Sequence, residues 1–293
     1  MKILLTGASG FLGGEIFYYL KSLSYDVTTI GRSEINDVKC DLSRNIPFLS
    51  KDVDFIIHVA GKAHVVPKNK QEEKDLFDVN LEGTKNLLRG LENKSPKTIV
   101  FISTVAVYGI ETGEMIDENS PLNGTTPYAK SKILAEAEVL KFGKEHNMKV
   151  VVLRPPLIVG KSPEGNLKLL IKAIKKGYYF RIGDGAAKRS IVAAKDIAEL
   201  VTTLCGKQGV YNVTDRRHPS FKDIDTKISN YYDKKIKVMP KGLMKLAAKL
   251  GDVISVFPFN SNKYKKMTNS LTFSDEKAVK ELNWIPDNAL DNI

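Results

Sequence analysis

The sequence predicts an α/β fold, a doubly wound parallel sheet that is followed by a smaller C-terminal lobe. In the first half of the chain, short apolar runs alternate with segments whose apolar residues recur at helical spacing. Such alternation is typical of parallel strands joined by helices that cover the sheet. The runs predicted as strands are Ile3–Leu5, Val27–Ile30, Phe55–Val59, Thr98–Ile102 and Val150–Leu153. The predicted helices are Phe11–Leu20, Leu76–Leu91 and Tyr128–His146.

The pattern changes after Pro155 and indicates a second part of the chain. A basic helical segment, Asn166–Lys176, precedes a Gly183–Gly185 turn and a lysine-rich last third. No repeat or Pro/Ser-rich linker separates the parts, so we expect one compact body. The predicted division assigns to the sheet domain residues 1–160 with 190–215 returning to it, and to the smaller lobe residues 161–189 and 216–293.

The composition suits a globular protein without an integral membrane segment. The 293 residues are 42% hydrophobic, and the candidate run Val150–Val159 is interrupted by Arg154. The first apolar run reaches glycine too early for a signal peptide. Cys40 and Cys205 lie far apart and the histidines do not cluster, so neither a disulfide framework nor a metal site is predicted. We therefore expect a cytoplasmic protein.

The net charge of +11 raises the question of a nucleic-acid partner. The lysines are scattered, and aromatic residues do not interleave with them as they do on base-stacking surfaces. We predict a solvated lysine-rich surface and no nucleic-acid partner.

Residues 242–259 form an amphipathic segment in the basic last third. Lys245 and Lys249 stand beside Leu243, Leu246 and Leu250. A helix at a membrane surface is one interpretation of this pattern. We favour the other, a helix whose apolar face packs on the core.

The first predicted strand leads into a glycine turn at Gly7, Gly10 and Gly13. Without a Cβ, Gly7 can take a tight turn, Gly10 lets the backbone approach a pyrophosphate, and Gly13 lets the helix pack closely on the strand. The unpaired N–H groups and the positive end of the helix then face the phosphates. This arrangement predicts a Rossmann-type dinucleotide site.

Tyr128 and Lys132 are four residues apart at the start of a predicted helix, and therefore on one face of it. A free tyrosine has a pKa near ~10 and is a weak base at neutral pH. The charge of Lys132 and that of an oxidised nicotinamide ring favour the phenolate, which can then exchange a proton with a substrate hydroxyl. A chance pair on a helix surface is the alternative. Against it stand Ser103 and Thr104, hydroxyls at the strand end where open α/β sheets bind ligands.

These motifs, in this order, resemble the extended short-chain dehydrogenase/reductase family, namely its NAD-dependent epimerases, dehydratases and reductases of sugar nucleotides. The resemblance covers nearly the whole chain. The matching segments are Thr6–Gly13, Cys40–Leu42, His58–His64, Asn80–Thr84, Ser103–Thr104, Tyr128 with Lys132, and Leu153–Pro156.

The resemblance implies roles for individual residues. Tyr128 is the acid/base, Thr104 is its hydroxyl partner, and Lys132 holds the nicotinamide ribose and the phenolate. The residues implied to bind the cofactor are Gly7, Ser9, Gly10, Phe11, Leu12, Gly13, Arg32, Asp41, Leu42, Ala60, Gly61, Asn80, Ser103, Tyr128, Lys132 and Pro155. Those implied to bind the substrate are Lys62, His64, Thr104, Tyr128, Asn166, Leu167 and Arg189.

Within the substrate set, Asn166 and Leu167 match the segment that holds the nucleotide base. Arg189 matches an arginine that grips the diphosphate, and a guanidinium engages two phosphate oxygens at once. A second arginine that many members carry upstream of the closing Phe273–Ala278 segment is absent, and a lysine at 263, 265 or 266 is its candidate replacement.

Two departures from the family pattern bear on the reaction. The family's 4,6-dehydratases carry Thr-Asp-Glu at the positions where this chain has Thr104, Val105 and Ala106. Elimination of water needs that extra acid and base. The resemblance therefore disfavours dehydration. After the second strand, Arg32 stands near the place where an acid usually accepts the ribose hydroxyls. An arginine there pairs with the 2′-phosphate of NADP or stacks on the adenine of NAD. The predicted cofactor is therefore NAD or NADP.

The resemblance implies an oxidoreductase or epimerase acting at C4 of a UDP-sugar, a UDP-N-acetylhexosamine or its 4-keto-6-deoxy form, in surface polysaccharide biosynthesis. Epimerisation and 4-ketoreduction both remain open. A non-catalytic dinucleotide sensor on the same fold is the alternative from another class, and the joint presence of Thr104, Tyr128 and Lys132 disfavours it.

Relatives often form homodimers through helices that correspond to Leu76–Leu91 and Lys132–Lys141, although apolar faces there can equally pack within one chain.

Overall fold

The computed structural model of the protein describes residues 1–50, 52–63, 65–94, 96–253 and 259–293. The strands are β1 (Lys2–Thr6), β2 (Asp26–Gly31), β3 (Val38–Lys39), β4 (Phe55–His58), β5 (Thr98–Ile102), β6 (Gly113–Ile116), β7 (Lys149–Arg154), β8 (Leu157–Val159), β9 (Phe180–Ile182), β10 (Ile191–Ala193), β11 (Gly209–Asn212), β12 (Lys237–Met239) and β13 (Leu271–Phe273).

Ten α-helices are described, and three shorter helical turns accompany them. The helices are α1 (Phe11–Ser22), α2 (Lys70–Phe77), α3 (Gly83–Leu91), α4 (Pro127–Glu145), α5 (Gly165–Lys175), α6 (Ala194–Thr202), α7 (Phe221–Tyr231), α8 (Lys241–Val253), α9 (Ser261–Thr268) and α10 (Glu276–Leu282). The turns are a π-helix at Asp78–Glu82 and 3-10 helices at Val105–Tyr108 and Ala289–Asn292.

Seven strands form a wholly parallel sheet in the order β11-β7-β5-β4-β1-β2-β3. The chain builds outward in one direction through β2 and β3, and in the other through β4, β5, β7 and β11. Between β1 and β4 lies the point where the order reverses, and open α/β sheets bind ligands at the carboxyl ends of the strands there. The predicted α/β fold of Rossmann type is thereby confirmed.

The strand register brings the carboxyl ends of the central strands into line. Thr6 pairs with Ile30 on one side and with His58 on the other, and His58 pairs in turn with Phe101. The segments that follow β1, β2, β4 and β5 therefore start at one edge of the sheet. Most of the sequence motifs lie in those segments.

Helices bury both faces of the sheet. Against one face, α1, α6 and α10 contribute side chains such as Ile16, Ile197 and Leu282. Against the other, α3 and α4 contribute Leu87 and Val139. Because the strands are covered on both sides, their side chains are apolar at successive positions, which is why they appear as continuous apolar runs.

A smaller body follows Pro155 and has a core of its own. Leu167 and Ile174 from α5 pack there with Ile224 and Ile228 from α7, and β9 pairs with β12 beside them. The chain also returns to the sheet. β11 joins its edge, β13 pairs with β6, and Trp284 after α10 enters the sheet core. The exact division into two domains stays a prediction. Helix α10, which that division assigns to the smaller lobe, packs on the sheet.

The sequence located the central elements within a few residues, with two differences. The predicted Leu76–Leu91 helix is instead α2 and α3 joined by the π-helical turn, and it starts at Lys70. α2 and α3 each pack on α4 within the chain, while the homodimer stays a prediction. No helix among the described residues combines the length and the apolar character that crossing a bilayer requires.

The second difference concerns α8, whose leucines were expected to pack on the core. Leu243, Leu246 and Leu250 are more than half exposed, and that expectation was wrong. The buried residues of α8 are Ala248 and Gly251. α8 packs against α9, and the side of α8 that is buried is the side of small residues rather than the leucine side.

Candidate active site

The glycine turn after β1 has the tight geometry that its sequence predicts. Gly7 has φ +78, and a Cβ there would lie 2.7 Å from the backbone nitrogen of Ala60. A Cβ on Gly13 would lie 2.0 Å from the carbonyl oxygen of Gly7. Gly10 is different, because a Cβ there meets only that same oxygen, at 3.4 Å. The fold itself therefore requires Gly7 and Gly13, whereas Gly10 borders open space.

That open space is a cleft of about 490 Å³ along the carboxyl edge of the sheet. Gly10 is also the N-cap of α1, so unpaired N–H groups of the first helical turn adjoin the cleft. The predicted cofactor and catalytic residues that line it are Gly7, Ser9, Gly10, Phe11, Leu12, Gly13, Arg32, Asp41, Leu42, Ala60, Gly61, Ser103, Thr104, Tyr128, Lys132 and Pro155.

Tyr128 lies in the first turn of α4, close to Thr104 at the end of β5. Thr126 caps α4 by accepting a hydrogen bond from the backbone of Ala129 at 3.2 Å, and Pro127 occupies the first turn. Thr104 caps the 3-10 turn that follows it by accepting from Ala106 N at 3.2 Å. The Thr104 side chain neighbours the Tyr128 phenol closely enough to lower its pKa. Two helix caps therefore fix the predicted acid/base pair.

Burial raises the pKa of Tyr128 to about 12, and the neighbouring Thr104 side chain opposes this shift only in part. The direction is opposite to the one expected from Lys132. Loss of hydration disfavours the phenolate more strongly than the neighbouring hydroxyl stabilises it. The phenol consequently holds its proton at neutral pH.

Lys132 is buried one helical turn after Tyr128. Its Nζ donates to the carbonyl oxygen of Ile102 at 2.6 Å and lies 4.2 Å from the centroid of the Phe101 ring. Burial lowers the pKa of Lys132 to about 8, while the charge of Glu136 raises it. A Cβ on Gly61 would lie 3.8 Å from the same nitrogen, so the backbone of the β4 loop passes close to the ammonium.

Asn80 does not line the cleft but supports the loop that does. It lies in the π-helical turn, where its Oδ1 accepts from Lys62 N at 2.7 Å and its Nδ2 donates to Ser131 Oγ at 2.9 Å. Ser131 Oγ in turn donates to the carbonyl of Tyr128 at 2.8 Å. π-helical turns recur at functional sites, and this one joins the β4 loop to the turn of α4 that carries Tyr128.

Ser103 is turned away from the reacting groups and towards α4. Its hydroxyl donates to the Glu136 carboxylate. Glu136 also accepts from Arg154 Nε at 3.0 Å and from Arg154 Nη2 at 2.6 Å, and Arg154 Nη1 contacts the Tyr108 hydroxyl at 3.1 Å. This buried network joins β5, α4 and β7 beneath the cleft. Sequence reasoning missed it, because its members are far apart in the chain.

His58 is the last residue of β4 and is 1% exposed. Its ring nitrogens contact Thr6 Oγ1 at 2.7 Å and Thr84 Oγ1 at 2.9 Å. Burial lowers the pKa of His58 to about 3, and the charge of Lys132 acts in the same direction. The neutral ring therefore ties β1 to α3 at the edge where the cleft opens.

Arg32, Asp41 and Leu42 line the end of the cleft beside β2. Arg32 is exposed and makes no ion pair with any described residue. The nearby acid Asp37 is bound back to β2, where its Oδ2 accepts from the backbone and the hydroxyl of Thr29 at 2.8 and 2.9 Å. No acid from β2 opposes Arg32 in the described part of the cleft.

The predicted substrate residues are more dispersed. Lys62 Nζ lies 3.8 Å from Asp75 on α2. Asn166 is exposed in the first turn of α5, and the side chain of Leu167 is buried in the small core. His64 lies outside the described residues. The roles of these residues stay predictions.

Arg189 lies away from the cleft lining and against α9. Its Nη1 donates to the carbonyl oxygens of Lys188 and Asn269, each at 2.7 Å, and Nη2 donates to that of Lys266. Lys263, Lys265 and Lys266, the candidate replacements for the absent arginine, all lie on α9, and Lys266 pairs with Glu111 at 2.9 Å. These three bonds use three of the five N–H donors of the guanidinium, so two donors remain for a diphosphate.

Comparison with protein families identifies the chain. The sequence model of the NAD dependent epimerase/dehydratase family matches residues 3–214. The chain belongs to this family. The match spans every motif on the sheet edge, from the glycine turn to β11, and the resemblance inferred from those motifs is confirmed.

Two curated relatives of this family member show different activities. The chain is 28% identical over 271 residues to N-acetyl-alpha-D-glucosaminyl-diphospho-ditrans,octacis-undecaprenol 4-epimerase of Escherichia coli O157:H7, a match to 87% of this chain and 80% of that protein. It is 29% identical over 269 residues to dTDP-D-glucose 4,6-dehydratase of Dictyostelium discoideum, a match to 78% of this chain and 62% of that protein.

Solved structures share the fold along the whole chain. RMD from Pseudomonas aeruginosa, solved with NADPH, superposes with a TM-score of 0.72 at 21% identity and covers 100% of this chain and 98% of its own. UDP-glucose 4-epimerase of Thermus thermophilus, solved with NAD, superposes with a TM-score of 0.71 at 23% identity. The superposition covers 98% of this chain and 94% of that protein.

Glu164 is among the cleft residues that the sequence did not predict. Glu164, the N-cap residue of α5, reaches the cleft from the smaller lobe. Its position directly before Gly165 and Asn166 was the available signal, because a helix N-terminus beside a predicted substrate segment faces the ligand. Asp41 and Glu164 are the acidic residues of the described cleft lining.

Proposed function

We propose that this chain is an NAD(P)-dependent oxidoreductase or epimerase that acts at C4 of a sugar nucleotide. The observation that carries the proposal is the convergence of Thr104, Tyr128 and Lys132 on one cleft with the glycine turn. A dinucleotide site alone serves many proteins. A tyrosine and a lysine one helical turn apart, with a hydroxyl partner, add proton transfer to it.

Tyr128 is the proposed acid/base. Because its pKa is about 12, the phenol is able to donate its proton to the sugar oxygen when a carbonyl is reduced. In the opposite direction, the Thr104 hydroxyl and the Lys132 ammonium stabilise the phenolate that takes a hydroxyl proton. The pKa of Lys132 is about 8, so most of these ammonium groups are charged at neutral pH.

NAD or NADP, when bound, takes a hydride from the sugar carbon or returns one to it. The backbone from Gly10 to Gly13 is proposed to hold the diphosphate, and Arg32, Asp41 and Leu42 the adenosine. Gly10 supports this fit, because a side chain there would enter the cleft rather than clash with the fold. Solved neighbours of the fold that carry NAD or NADPH also support it.

Epimerisation or 4-ketoreduction is favoured over dehydration. Val105 and Ala106 follow Thr104 in the 3-10 turn and carry no ionisable group, whereas removing water from a sugar needs a further acid and base. The curated relatives include a 4-epimerase and a 4,6-dehydratase. The preference against dehydration therefore depends on the residues of the turn.

The proposed substrate is a UDP-N-acetylhexosamine or its 4-keto-6-deoxy form, used in surface polysaccharide biosynthesis. The family resemblance supports this substrate. The 4-epimerase of Escherichia coli O157:H7 supports it as well, because its name describes a substrate with an N-acetylglucosaminyl group on a diphosphate. Lys62, His64, Asn166, Leu167 and Arg189 are its proposed contacts, and Arg189 is the one that would bind the diphosphate.

The test is an assay of both reactions with the purified protein. UDP-GlcNAc and UDP-GalNAc are each incubated with it and followed by NMR. A UDP-4-keto-6-deoxy-hexosamine is incubated with NADH or NADPH, and the absorbance of the reduced nicotinamide is followed. Interconversion of the two hexosamines identifies an epimerase, and consumption of the reduced cofactor identifies a ketoreductase. Tight dinucleotide binding with neither reaction would instead support the alternative, a non-catalytic sensor.

A further inference from the structure

Helix α8 presents a row of large apolar side chains to solvent. Leu243, Leu246, Leu250 and Val253 are 57%, 58%, 56% and 84% exposed. Their spacing of three, four and three residues places them on one side of the helix. We call these four residues the α8 stripe. A different side of the helix, which includes Ala248 and Gly251, is buried, and α8 packs against α9.

Lysines border the α8 stripe. With 3.6 residues per turn, Lys245 and Lys249 lie between the stripe and the packed side. Both are exposed, and neither forms an ion pair with a described residue. Lys241 differs, because its Nζ lies 2.9 Å from Asp184. The helix therefore combines an apolar side, a cationic side and a packed side.

The surroundings of the stripe are strongly basic. Residues 234–266 contain nine lysines and one aspartate, a net charge of +8 in a chain whose total is +11. Helix α9, which carries three of these lysines, packs against α8. Most of the excess charge of the protein is thus concentrated in the segment that also exposes the apolar row.

We propose that α8 docks on the surface of an anionic phospholipid bilayer. The α8 stripe enters the boundary between head groups and acyl chains, while Lys245 and Lys249 remain at the level of the phosphates. Aliphatic side chains with lysines alongside suit this environment, because burial of the leucines and attraction of the lysines act together. The docking does not depend on the proposed reaction.

Charge distinguishes this partner from a second copy of the chain. Two copies meeting through the stripe would bring two +8 segments together, and like charges at short range oppose association. An anionic bilayer neutralises the same charges. Docking would also hold α9, and with it Arg189, beside the membrane, because the guanidinium donates to carbonyl oxygens at the end of α9.

The test is co-sedimentation of the full-length protein with vesicles. One set is pure phosphatidylcholine, and the other contains equal parts of phosphatidylcholine and phosphatidylglycerol. We expect binding to the anionic vesicles and little to the neutral ones. The double variant Leu246→Glu/Leu250→Glu should lower the partition coefficient at least about tenfold, and Lys245→Glu/Lys249→Glu should lower it comparably.

The matched control is Ile285→Glu, which changes an 88% exposed apolar side chain outside α8 and should bind like the unchanged protein. Circular dichroism and dinucleotide binding confirm that each variant is folded. Failure of the unchanged protein to sediment with anionic vesicles overturns the proposal, as does equal binding by Leu246→Glu/Leu250→Glu. A dimer that this double variant dissociates, without vesicle binding, assigns the stripe to a second copy instead.

Discussion

Glu136 and Arg154 form a buried ion pair with two hydrogen bonds, at 3.0 and 2.6 Å, and are 2% and 4% exposed. Glu136 is one helical turn beyond Lys132 and two beyond Tyr128, so the pair fixes the end of α4 that carries these two residues to the end of β7. A buried charge without its partner is strongly destabilising. The fold of the site therefore depends on this pair being complete.

We expect Arg154→Leu to lower the free energy of unfolding by about 3 to 5 kcal/mol, because it removes the ion-pair partner of the buried Glu136 carboxylate. Urea denaturation measures the change. The control is Glu136→Leu/Arg154→Leu, which removes both charges and should lose clearly less. A double variant as unstable as the single one would show that the unpaired charge is not the cause.

The buried His58 predicts how stability depends on pH. The folded-state pKa is lowered to about 3, so between pH 3 and 6.5 the unfolded chain binds a proton that the folded protein does not. Stability from this group is present above about pH 6.5 and is lost as the pH falls towards 3. From pH 7 to pH 5 the loss should be about 2 kcal/mol.

The measurement compares urea denaturation of the unchanged protein with that of His58→Gln at both pH values. Other titrating groups are common to the two proteins, so the difference between the two pH dependences isolates His58. Equal pH dependences would contradict a neutral, buried histidine. Nitrogen NMR of the imidazole reports the protonation state of His58 independently, and the ring should remain neutral at pH 5.

Gly10 and Gly14 offer a matched pair for the dinucleotide site. A Cβ on Gly10 meets one protein oxygen at 3.4 Å, and a Cβ on Gly14 meets one at 3.5 Å, so both alanine variants should fold. Gly10→Ala should weaken dinucleotide binding at least about tenfold, because its methyl group occupies the approach of the phosphates. Gly14→Ala should retain the affinity. Titration calorimetry decides, and equal affinities would remove Gly10 from the site.

Arg32 should select between the two cofactors. Its guanidinium is unpaired among the described residues, and no acid from β2 faces it. We expect Arg32→Ala to weaken NADP binding by about tenfold or more and NAD binding by less than about threefold, because a 2′-phosphate contact is charge-assisted. Fluorescence titration with both cofactors measures the ratio. Parallel weakening of the two would instead assign Arg32 to stacking on adenine.

Local sequence patterns predicted the parts of the structure whose cause is local. Buried parallel strands leave apolar runs, so β1, β2, β4, β5 and β7 were located. β3 has two residues and β11 has four, and such short segments carry little pattern. The glycine turn was predictable because its three glycines, spaced three residues apart directly after a strand, lie within one short segment.

Features that depend on packing between distant segments were not predictable in this way. The amphipathic pattern of α8 shows two kinds of surface but not which of them packs, and the small residues Ala248 and Gly251 decided it. The pKa of Tyr128 depends on how much water the fold removes, which residue spacing does not show. The Glu136–Arg154 pair joins positions 18 residues apart on a helix and a strand.

The most direct test of the account is the turnover of Tyr128→Phe with the sugar nucleotide that the unchanged protein converts. This variant removes one hydroxyl, and Tyr18→Phe, at a 74% exposed tyrosine, is the matched control. We predict that Tyr128→Phe still binds the dinucleotide while kcat falls by about 10² to 10⁴, and that Tyr18→Phe is fully active. Turnover of Tyr128→Phe within a few fold of the unchanged protein would contradict the assignment of Tyr128 as the acid/base.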